Sequence, residues 1–226
     1  KGIKPSSANR YVSALSSVFT MAVREFGLVE SNPCSKVRKL PESRGRTRFL
    51  TDDERATLLD VCKKSGVREL HIIVVLALST GARKNELRWL RWSDVDLHQG
   101  TLLFRETKNG SIRSVPIQRL AFDLLKEWGK VRLLETDLVF PGRNPKHPVL
   151  FEKSWRKVLV TAGIKDFRSH DLRHSAASYL VMNGVNLRAV SEILGHKTLN
   201  MVQCYSHLSP EHLRSEMART MEAVNL

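Results

Sequence analysis

The sequence predicts a mainly helical α+β fold with a small three-stranded antiparallel sheet. Two observations lead to this prediction: apolar residues recur at helical spacing through most of the 226 residues, whereas residues 92–117 alternate between apolar and polar. Turn residues near 98–100 and 108–110 divide this alternating region into three short strands. A chain of this length can bury a substantial core and can hold one domain and part of another.

The first helix is expected from Ser6 to about Phe26. Apolar residues lie on one face over this range, and Gly27 ends the pattern. An apolar face of this kind needs a hydrophobic partner, but only five residues precede the helix. We therefore expect the chain to be a fragment that lacks the preceding helices.

A basic segment from residue 32 to residue 50 follows and is predicted to be an interdomain linker. Ten basic and three acidic side chains lie in residues 1–50, which places half of the formal net charge of +14 there. This charge favours a polyanionic partner such as nucleic acid. Six linker side chains are expected to contact DNA phosphates: Lys36, Arg38, Lys39, Arg44, Arg46 and Arg48. The alternative is a solvated run of charge.

The second domain is expected to begin at Thr51, because residues 51–54 have the form of a capping box that opens a helix to about Lys64. An apolar run at 72–78 predicts a buried helix that stops near Gly81. Further helices are expected at 84–90, 118–135, 151–162, 171–183, 187–194, 198–205 and 210–223.

The sequence also argues against several classes of protein. It has no apolar run of membrane-spanning length and no signal-peptide pattern, which predicts a cytoplasmic protein. A P-loop, a dinucleotide fingerprint and a nucleophile elbow are all absent. Cys34, Cys62 and Cys204 are far apart and odd in number, so we expect them to be reduced and incidental to the chemistry.

Five residues in widely separated motifs share one chemistry. Arg83 lies in Gly-x-Arg-x-x-Glu, His170 and Arg173 form His-x-x-Arg, His196 lies in Leu-Gly-His, and Tyr205 follows nine residues later. Each motif alone is weak evidence, since matches arise by chance in a chain rich in arginine and histidine. Their order and spacing together resemble the tyrosine recombinase, or phage integrase, family over about residues 51–226.

The physical chemistry of these side chains fits that resemblance. A phosphodiester under attack gains negative charge on its non-bridging oxygens, and Arg83 and Arg173 offer planar, permanently charged forks to hold them. No metal ion or other cofactor is then needed. His196 can donate a further hydrogen bond, while His170 can help accept the proton of Tyr205, whose ordinary pKa of about 10 leaves it neutral.

The resemblance implies roles beyond these. Tyr205 is the implied nucleophile, which forms a covalent 3′-phosphotyrosyl link and releases a 5′-hydroxyl. Lys108 occupies the hairpin turn where the family carries a lysine that protonates the leaving 5′-oxygen. The family often has Thr three residues before its tyrosine, where this chain has Val202, and this departure leaves a local hydrogen bond in question. Residues 1–31 resemble the end of a helical core-binding domain, and residues 51–226 resemble the catalytic domain.

The implied function is metal- and ATP-independent strand exchange at specific DNA sites, for the integration or excision of a phage or genomic island. The implied partners are double-stranded attachment-site DNA, three further copies of the chain in a homotetramer on synapsed DNA, and an accessory DNA-bending protein or excisionase. The helix near 210–224 packs either on a neighbouring copy or on its own domain. The alternatives are a type IB topoisomerase that relaxes DNA and a catalytically silent DNA-binding regulator.

Two further residues need an interpretation. His174 lies four residues after His170, a spacing found in zinc sites, but the intervening segment lacks the Glu of a zinc-protease motif and Arg173 would repel the ion. No metal site is therefore expected. Glu86 lies three residues after Arg83, and we expect it to orient that arginine or to cap the local structure.

Overall fold

The structure is a computed structural model that describes residues 2–42, 46, 48–105, 112–196, 198–208, 217–218 and 221. These residues form two compact units, an N-terminal unit (Lys1–Arg46) and a C-terminal unit (Thr47–Leu226). The predicted fold class is confirmed, because the described residues are mainly helical and carry a three-stranded antiparallel sheet. No helix in the described part of the chain is long and apolar enough to cross a membrane.

The N-terminal unit consists of helix α1 (Pro5–Arg24), a 3-10 turn (Pro33–Lys36) and an extended segment. The buried side chain of Asn9 donates to the Leu40 carbonyl at 2.8 Å and accepts from the Leu40 amide at 2.8 Å. Asn32 donates to the Ser16 carbonyl at 2.9 Å. Two asparagines therefore hold the basic segment along α1.

The C-terminal unit contains the other helices and the sheet. Its helices are α2 (Asp52–Lys64), α3 (Arg68–Thr80), α4 (Lys84–Arg88), α5 (Leu120–Gly129), α6 (Glu152–Thr161), α7 (Asp171–Met182) and α8 (Leu187–Leu194). The strands β1 (Val95–Asp96), β2 (Thr101–Phe104) and β3 (Arg113–Pro116) follow one another in the sheet, and Phe104 pairs with Arg113. Helix α3 is the centre of the main core and packs against α2, α5 and α7.

The start of α2 shows how the local sequence sets a helix boundary. The Thr51 hydroxyl accepts from the Glu54 amide at 3.2 Å, and the Glu54 carboxylate accepts from the Thr51 amide at 3.0 Å. Both bonds of the predicted capping box are present, so the first turn has partners for two amides that helix geometry leaves free.

Two of the predicted helices differ from the structure. Helix α5 ends at Gly129 rather than near residue 135, and the exposed side chains of Val131 and Leu134 offer no buried face that would continue it. The segment predicted as a helix at 198–205 forms two 3-10 turns, Leu199–Met201 and Gln203–Leu208.

Two side chains of this segment are buried. Val202 lies between the two 3-10 turns and Tyr205 lies in the second one. They belong to a second apolar cluster that α7 and α8 also form through Ala177, Val190 and Leu194. The predicted helix at 210–223 lies almost entirely outside the described residues.

Candidate active site

The end of α3 brings the first arginine of the site into place. Gly81 ends the helix with φ of 63°, and a Cβ atom at this position would lie 2.2 Å from Leu194 Cδ2. Glycine is therefore required both for the left-handed turn and for the close approach of α8. Directly after this turn, the Arg83 side chain reaches the carbonyl of Gly195, with 3.4 Å from Nη2 to the oxygen.

A buried carboxylate fixes Arg83. Glu86 accepts from the Arg83 amide at 2.8 Å and from Arg83 Nη1 at 2.6 Å, as expected of a residue that orients this arginine. Although burial raises the pKa of Glu86, hydrogen bonds from Arg113 and Arg83 outweigh that effect and hold the pKa below its ordinary value. Glu86 is therefore an ionised support rather than an acid.

Arg113 is a residue of this site that the sequence reasoning missed. It lies on β3, donates to both Glu86 oxygens at 3.1 and 2.8 Å, and donates through Nε to the Ile193 carbonyl at 3.1 Å. Its guanidinium also lies over the Phe104 ring, 4.5 Å from the centroid. The sequence did indicate this position, because Arg113 lies at the same every-second-residue spacing as Val115 and Ile117, whose side chains face the core.

Arg173 lies on α7 and is only 4% exposed. Its guanidinium donates to the Gly81 carbonyl at 2.8 Å and to the Leu194 carbonyl at 2.6 Å, so it joins the ends of α3 and α8. Burial and the positive charges of Arg83 and Arg113 lower the pKa of Arg173 to about 9, which still leaves it protonated at neutral pH. Arg83 and Arg113 bind the Glu86 carboxylate, and Arg173 is close enough to interact electrostatically with all three groups. The excess positive charge of this group favours an anion.

His196 follows the left-handed Gly195 at the end of α8. Burial, with the charges of Arg173 and Arg83 in addition, lowers the pKa of His196 to about 4, so the ring is neutral at neutral pH. Its Nδ1 atom is buried and has no hydrogen-bond partner among the described residues. The imidazole therefore keeps hydrogen-bonding capacity for a bound group.

Tyr205 completes the group from the other side of α7. The residue is 2% exposed, and burial raises the pKa of its phenol well above the ordinary value. Its hydroxyl is hydrogen-bonded to Nδ1 of His174 on α7. From the sequence, His170 was the residue predicted to help accept the Tyr205 proton. The His170 ring meets the His174 ring edge-on, with 5.2 Å between the ring centroids.

A cavity of about 720 Å³ opens beside these residues. Arg83 and His170 line it, together with the basic side chains of Lys84, Arg91 and Arg105. Burial, and the charge of Arg173 in addition, lower the pKa of His170 below its ordinary value. Glu86 and Asp94 line the cavity as well, and Lys84 and Arg105 form ion pairs with Glu152 and Asp94, so basic side chains outnumber acidic ones in the lining.

The remaining predicted site residues are Lys108 and the six basic residues of the linker. Lys108 and Arg44 lie outside the described residues. Lys36, Arg38 and Lys39 are exposed in the N-terminal unit.

The last two predicted DNA contacts, Arg46 and Arg48, lie on either side of the boundary between the units. Arg48 belongs to the C-terminal unit, where it donates to Glu54 at 2.8 Å and lies over the Phe167 ring. The structure therefore brings together Arg83, His170, Arg173, His196 and Tyr205 within the C-terminal unit. In the described part of the chain, no cluster of His, Cys, Asp or Glu could hold a metal ion.

Comparison with known proteins identifies the family to which the chain belongs. Residues 48–212 match the model of the phage integrase family. The chain is 33% identical over 218 residues to a shufflon-specific DNA recombinase of Escherichia coli, a match that covers 96% of this chain and 55% of the relative. It is 30% identical to tyrosine recombinase XerA of Pyrococcus furiosus, over 100% of this chain and 78% of that protein.

A solved structure is similar as well. The catalytic domain of bacteriophage HP1 integrase matches with a TM-score of 0.59 and 31% identity, over 75% of this chain and 93% of that domain. Against the E. coli recombinase, in contrast, the chain spans little more than half of the relative's length.

Proposed function

The chain belongs to the phage integrase family, and from this premise we propose that it is a site-specific DNA recombinase. In this proposal it cleaves and rejoins DNA strands through a covalent 3′-phosphotyrosyl intermediate, for the integration or excision of a phage or genomic island. The observation that carries the proposal is the meeting of Arg83, Arg173 and His196 at the ends of α3 and α8, with the phenol of Tyr205 beside α7.

Each side chain has a defined task in this reaction. Arg83 and Arg173 hold the non-bridging oxygens of the scissile phosphate, whose negative charge grows as phosphorus becomes pentacoordinate. His196 is neutral and donates one further hydrogen bond to those oxygens. The charge at phosphorus is thus balanced by side chains, and the proposed reaction needs no metal ion.

The covalent step exchanges one phosphoester bond for another. The bond from Tyr205 Oη to phosphorus forms while the bond from phosphorus to the 5′-oxygen breaks, and His170, the residue directly before α7, helps to accept the phenolic proton. Lys108 supplies the proton that the 5′-oxygen takes up; this role rests on the family resemblance alone. Because the phosphotyrosyl bond retains the energy of the broken ester, rejoining needs no ATP.

The partners are proposed on the same premise. Double-stranded DNA is the substrate, and one relative is itself named a DNA recombinase. We infer that residues 1–31 are the end of a core-binding domain and that the exposed Lys36, Arg38 and Lys39 contact phosphates. Assembly as a homotetramer on two DNA sites, and help from an accessory DNA-bending protein or excisionase, follow from the family resemblance.

A nicked suicide substrate tests the proposed function. When the short 5′-hydroxyl fragment beyond the nick diffuses away, rejoining stops and the protein stays attached to DNA. We expect the wild-type chain to form this adduct in EDTA and without nucleotide, as seen on a denaturing gel. Tyr205→Phe removes one oxygen and no charge, so it should bind DNA as before and form no adduct. Tyr11→Phe, which alters an exposed tyrosine of α1, is the matched control.

The outcomes separate the alternatives. An adduct of equal yield from Tyr205→Phe, or a strict need for Mg²⁺, would contradict this mechanism. A wild-type chain that binds DNA without any adduct is a silent regulator. An adduct accompanied by relaxation of any supercoiled plasmid, without exchange between two DNA molecules, indicates a topoisomerase instead.

A further inference from the structure

The two oxygens of the Glu86 carboxylate each accept hydrogen bonds from both Arg83 and Arg113. Oε1 accepts from Arg83 Nη1 at 2.6 Å and from Arg113 Nη1 at 3.1 Å. Oε2 accepts from the Arg83 amide and from Arg113 Nη2, both at 2.8 Å. The position of the Arg83 guanidinium therefore depends on the orientation of a carboxylate that Arg113 also binds.

The two arginines bind this carboxylate in different ways. Arg113 offers a fork, with one nitrogen on each oxygen, and such a bidentate contact fixes the plane of a carboxylate as well as its place. Arg83 uses only Nη1 of its guanidinium for Glu86. Its Nη2 makes a longer contact of 3.4 Å with the Gly195 carbonyl, so the guanidinium of Arg83 retains donors for a phosphate.

Arg113 is itself fixed by the elements around it. Its Nε donates to the Ile193 carbonyl of α8 at 3.1 Å, and its guanidinium lies over the Phe104 ring of β2. A Cβ atom on Gly195 would lie only 3.0 Å from Arg113 Cδ, so the turn after α8 passes close to this side chain. The sheet and the end of α8 thus make Arg113 a rigid support for Glu86.

Arg113 and Arg83 differ in their access to a bound group. Arg83 and Glu86 line the cavity of about 720 Å³, whereas Arg113 is absent from its lining in the described part of the chain. The side chain of Arg113 is 7% exposed and that of Arg83 is 18% exposed. All three nitrogens of the Arg113 guanidinium already donate, to Glu86 and to Ile193. Any contribution of Arg113 to the reaction therefore passes through Glu86 to Arg83.

We propose that Arg113 is a positioning residue for Arg83, an inference that rests on the proposed function. Arg113 sets the plane of the Glu86 carboxylate, the carboxylate holds Nη1 of Arg83, and the other donors of Arg83 are thereby aligned for the non-bridging oxygens of the reacting phosphate. No bond forms or breaks at Arg113. The alignment favours the transition state, because donors that are already in place stabilise the added negative charge without reorganisation.

The test measures single-turnover cleavage of the suicide substrate by Arg113→Lys at saturating protein. Lysine keeps the positive charge beside Glu86 but lacks the planar fork. We expect cleavage to be roughly 10²-fold slower, which is the effect that a small misplacement of a binding group can have, while the affinity for DNA stays the same. Arg188→Lys is the matched control, since it changes an exposed arginine of α8 that pairs with Glu192, and it should cleave at the wild-type rate.

A neutral substrate distinguishes positioning from a general loss of structure. A methylphosphonate at the scissile position carries no negative charge, so Arg83 has less charge to stabilise there. The ratio of the wild-type rate to the Arg113→Lys rate, measured as release of the 5′-hydroxyl strand, should therefore fall towards one on this substrate. A ratio that is equally large on the phosphate and the methylphosphonate would show that Arg113 only maintains the fold, and the proposal would be wrong.

A variant of Arg83 tests the route of the effect. In an Arg83→Ala chain, Arg113→Lys should cause little further loss of rate, because the residue that Arg113 positions is gone. A full additional loss in that chain would mean that Arg113 acts independently of Arg83, contrary to the proposal.

A second variant of Arg113 covers the case in which Arg113→Lys does not fold. Arg113→Gln can still donate to one oxygen of Glu86, and it allows the same comparison of the two substrates. If the wild-type chain forms the adduct while both Arg113 variants cleave the phosphate substrate at the wild-type rate, only the inference about Arg113 is wrong. If the wild-type chain forms no adduct, the proposed function fails and this inference fails with it.

Discussion

Glu86 is the residue on which the arrangement of the arginines depends. Its side chain is 4% exposed and forms ion pairs with Arg83 and Arg113, with 2.6 and 2.8 Å between nitrogen and oxygen. A buried carboxylate between two guanidinium groups stabilises the fold little in total, because desolvation offsets most of the attraction. Its removal is costly, however, because the guanidinium groups would then face one another without a counter-charge.

Glu86→Gln should therefore lower the free energy of unfolding by about 3–5 kcal/mol at neutral pH, the usual result of removing one partner of a buried pair. The folded-state pKa of Glu86 is depressed, so its contribution is present above the ordinary carboxyl pKa and is lost as pH falls through the folded-state value. The difference between wild type and variant should thus shrink on acidification below about pH 4.

Urea unfolding at a series of pH values measures this difference. Glu127→Gln is the matched control, since that exposed carboxylate pairs with Lys130 on the surface of α5. A stability gap between wild type and Glu86→Gln that is equally large at pH 3 and pH 7 would show that the charge of Glu86 is not the cause.

The arginines of the site are positioned at the C-terminal ends of two helices rather than along helix faces. The C-terminal ends of α3 and α8 meet, and their carbonyls at Gly81 and Leu194 both accept from Arg173. The carbonyls at a helix C-terminus lack partners within the helix and carry partial negative charge, which suits a guanidinium. The two helices are therefore held together by the same arginine that is proposed to bind phosphate.

Gly81→Ala tests this junction. The added Cβ atom would have φ of 63° and would lie 2.2 Å from Leu194 Cδ2, so both backbone strain and a clash oppose it. Gly66→Ala is a matched control, because Gly66 has φ of 72° but no heavy atom within 4 Å of a Cβ.

We expect Gly66→Ala to lower the free energy of unfolding by about 1 kcal/mol, because of the strained backbone alone. Gly81→Ala should lower it by about 1–3 kcal/mol more, because the added Cβ atom also overpacks the contact with Leu194. Gly81→Ala should also slow cleavage, because Arg173 is held by the displaced carbonyl. Thermal or urea unfolding gives the stabilities. Equal costs at the two positions would contradict the close approach of α8 to Gly81.

At the scale of the whole molecule, buried and exposed positive charges are proposed to have different tasks. In the C-terminal unit, Arg113 and Arg173 are buried and Arg83 is half-buried, and all three donate to specific acceptors. Lys36, Arg38 and Lys39, in contrast, are exposed on the N-terminal unit. Exposed charges contribute to DNA binding by releasing counterions from phosphate, independently of sequence. In the proposed reaction, Arg83 and Arg173 act at one phosphate, the one that reacts.

Neutralising Arg38 and Lys39 should therefore weaken binding to specific and random DNA alike. Each phosphate contact that is lost should lower the slope of log K against log salt concentration by about 0.9. The rate of cleavage at saturating protein should stay the same, because these side chains do not touch the reacting phosphate.

Filter binding over a salt series, beside single-turnover cleavage, measures both effects. Lys126→Ala, which removes an exposed charge of α5, controls for the loss of net charge. An unchanged slope after both linker changes would contradict the proposed phosphate contacts.

The sequence by itself determined most of the elements and the chemistry of the site. Helical periodicity, the capping box at Thr51 and the alternation in 92–117 are local properties, so they predicted the fold class correctly. The types and order of Arg83, Arg173 and Tyr205 likewise indicated phosphate chemistry, because charge and nucleophilicity belong to the side chains themselves.

The tertiary structure decided which side chains meet. The contact between His174 and Tyr205 joins residues 31 apart, and that between Arg113 and Glu86 joins residues 27 apart. Neither follows from local spacing, because each depends on how one element packs against another. The same holds for the segment after residue 198, where local spacing predicted an α-helix but the chain forms two 3-10 turns and buries Val202 and Tyr205 against α7 and α8, because that contact depends on elements distant in the sequence.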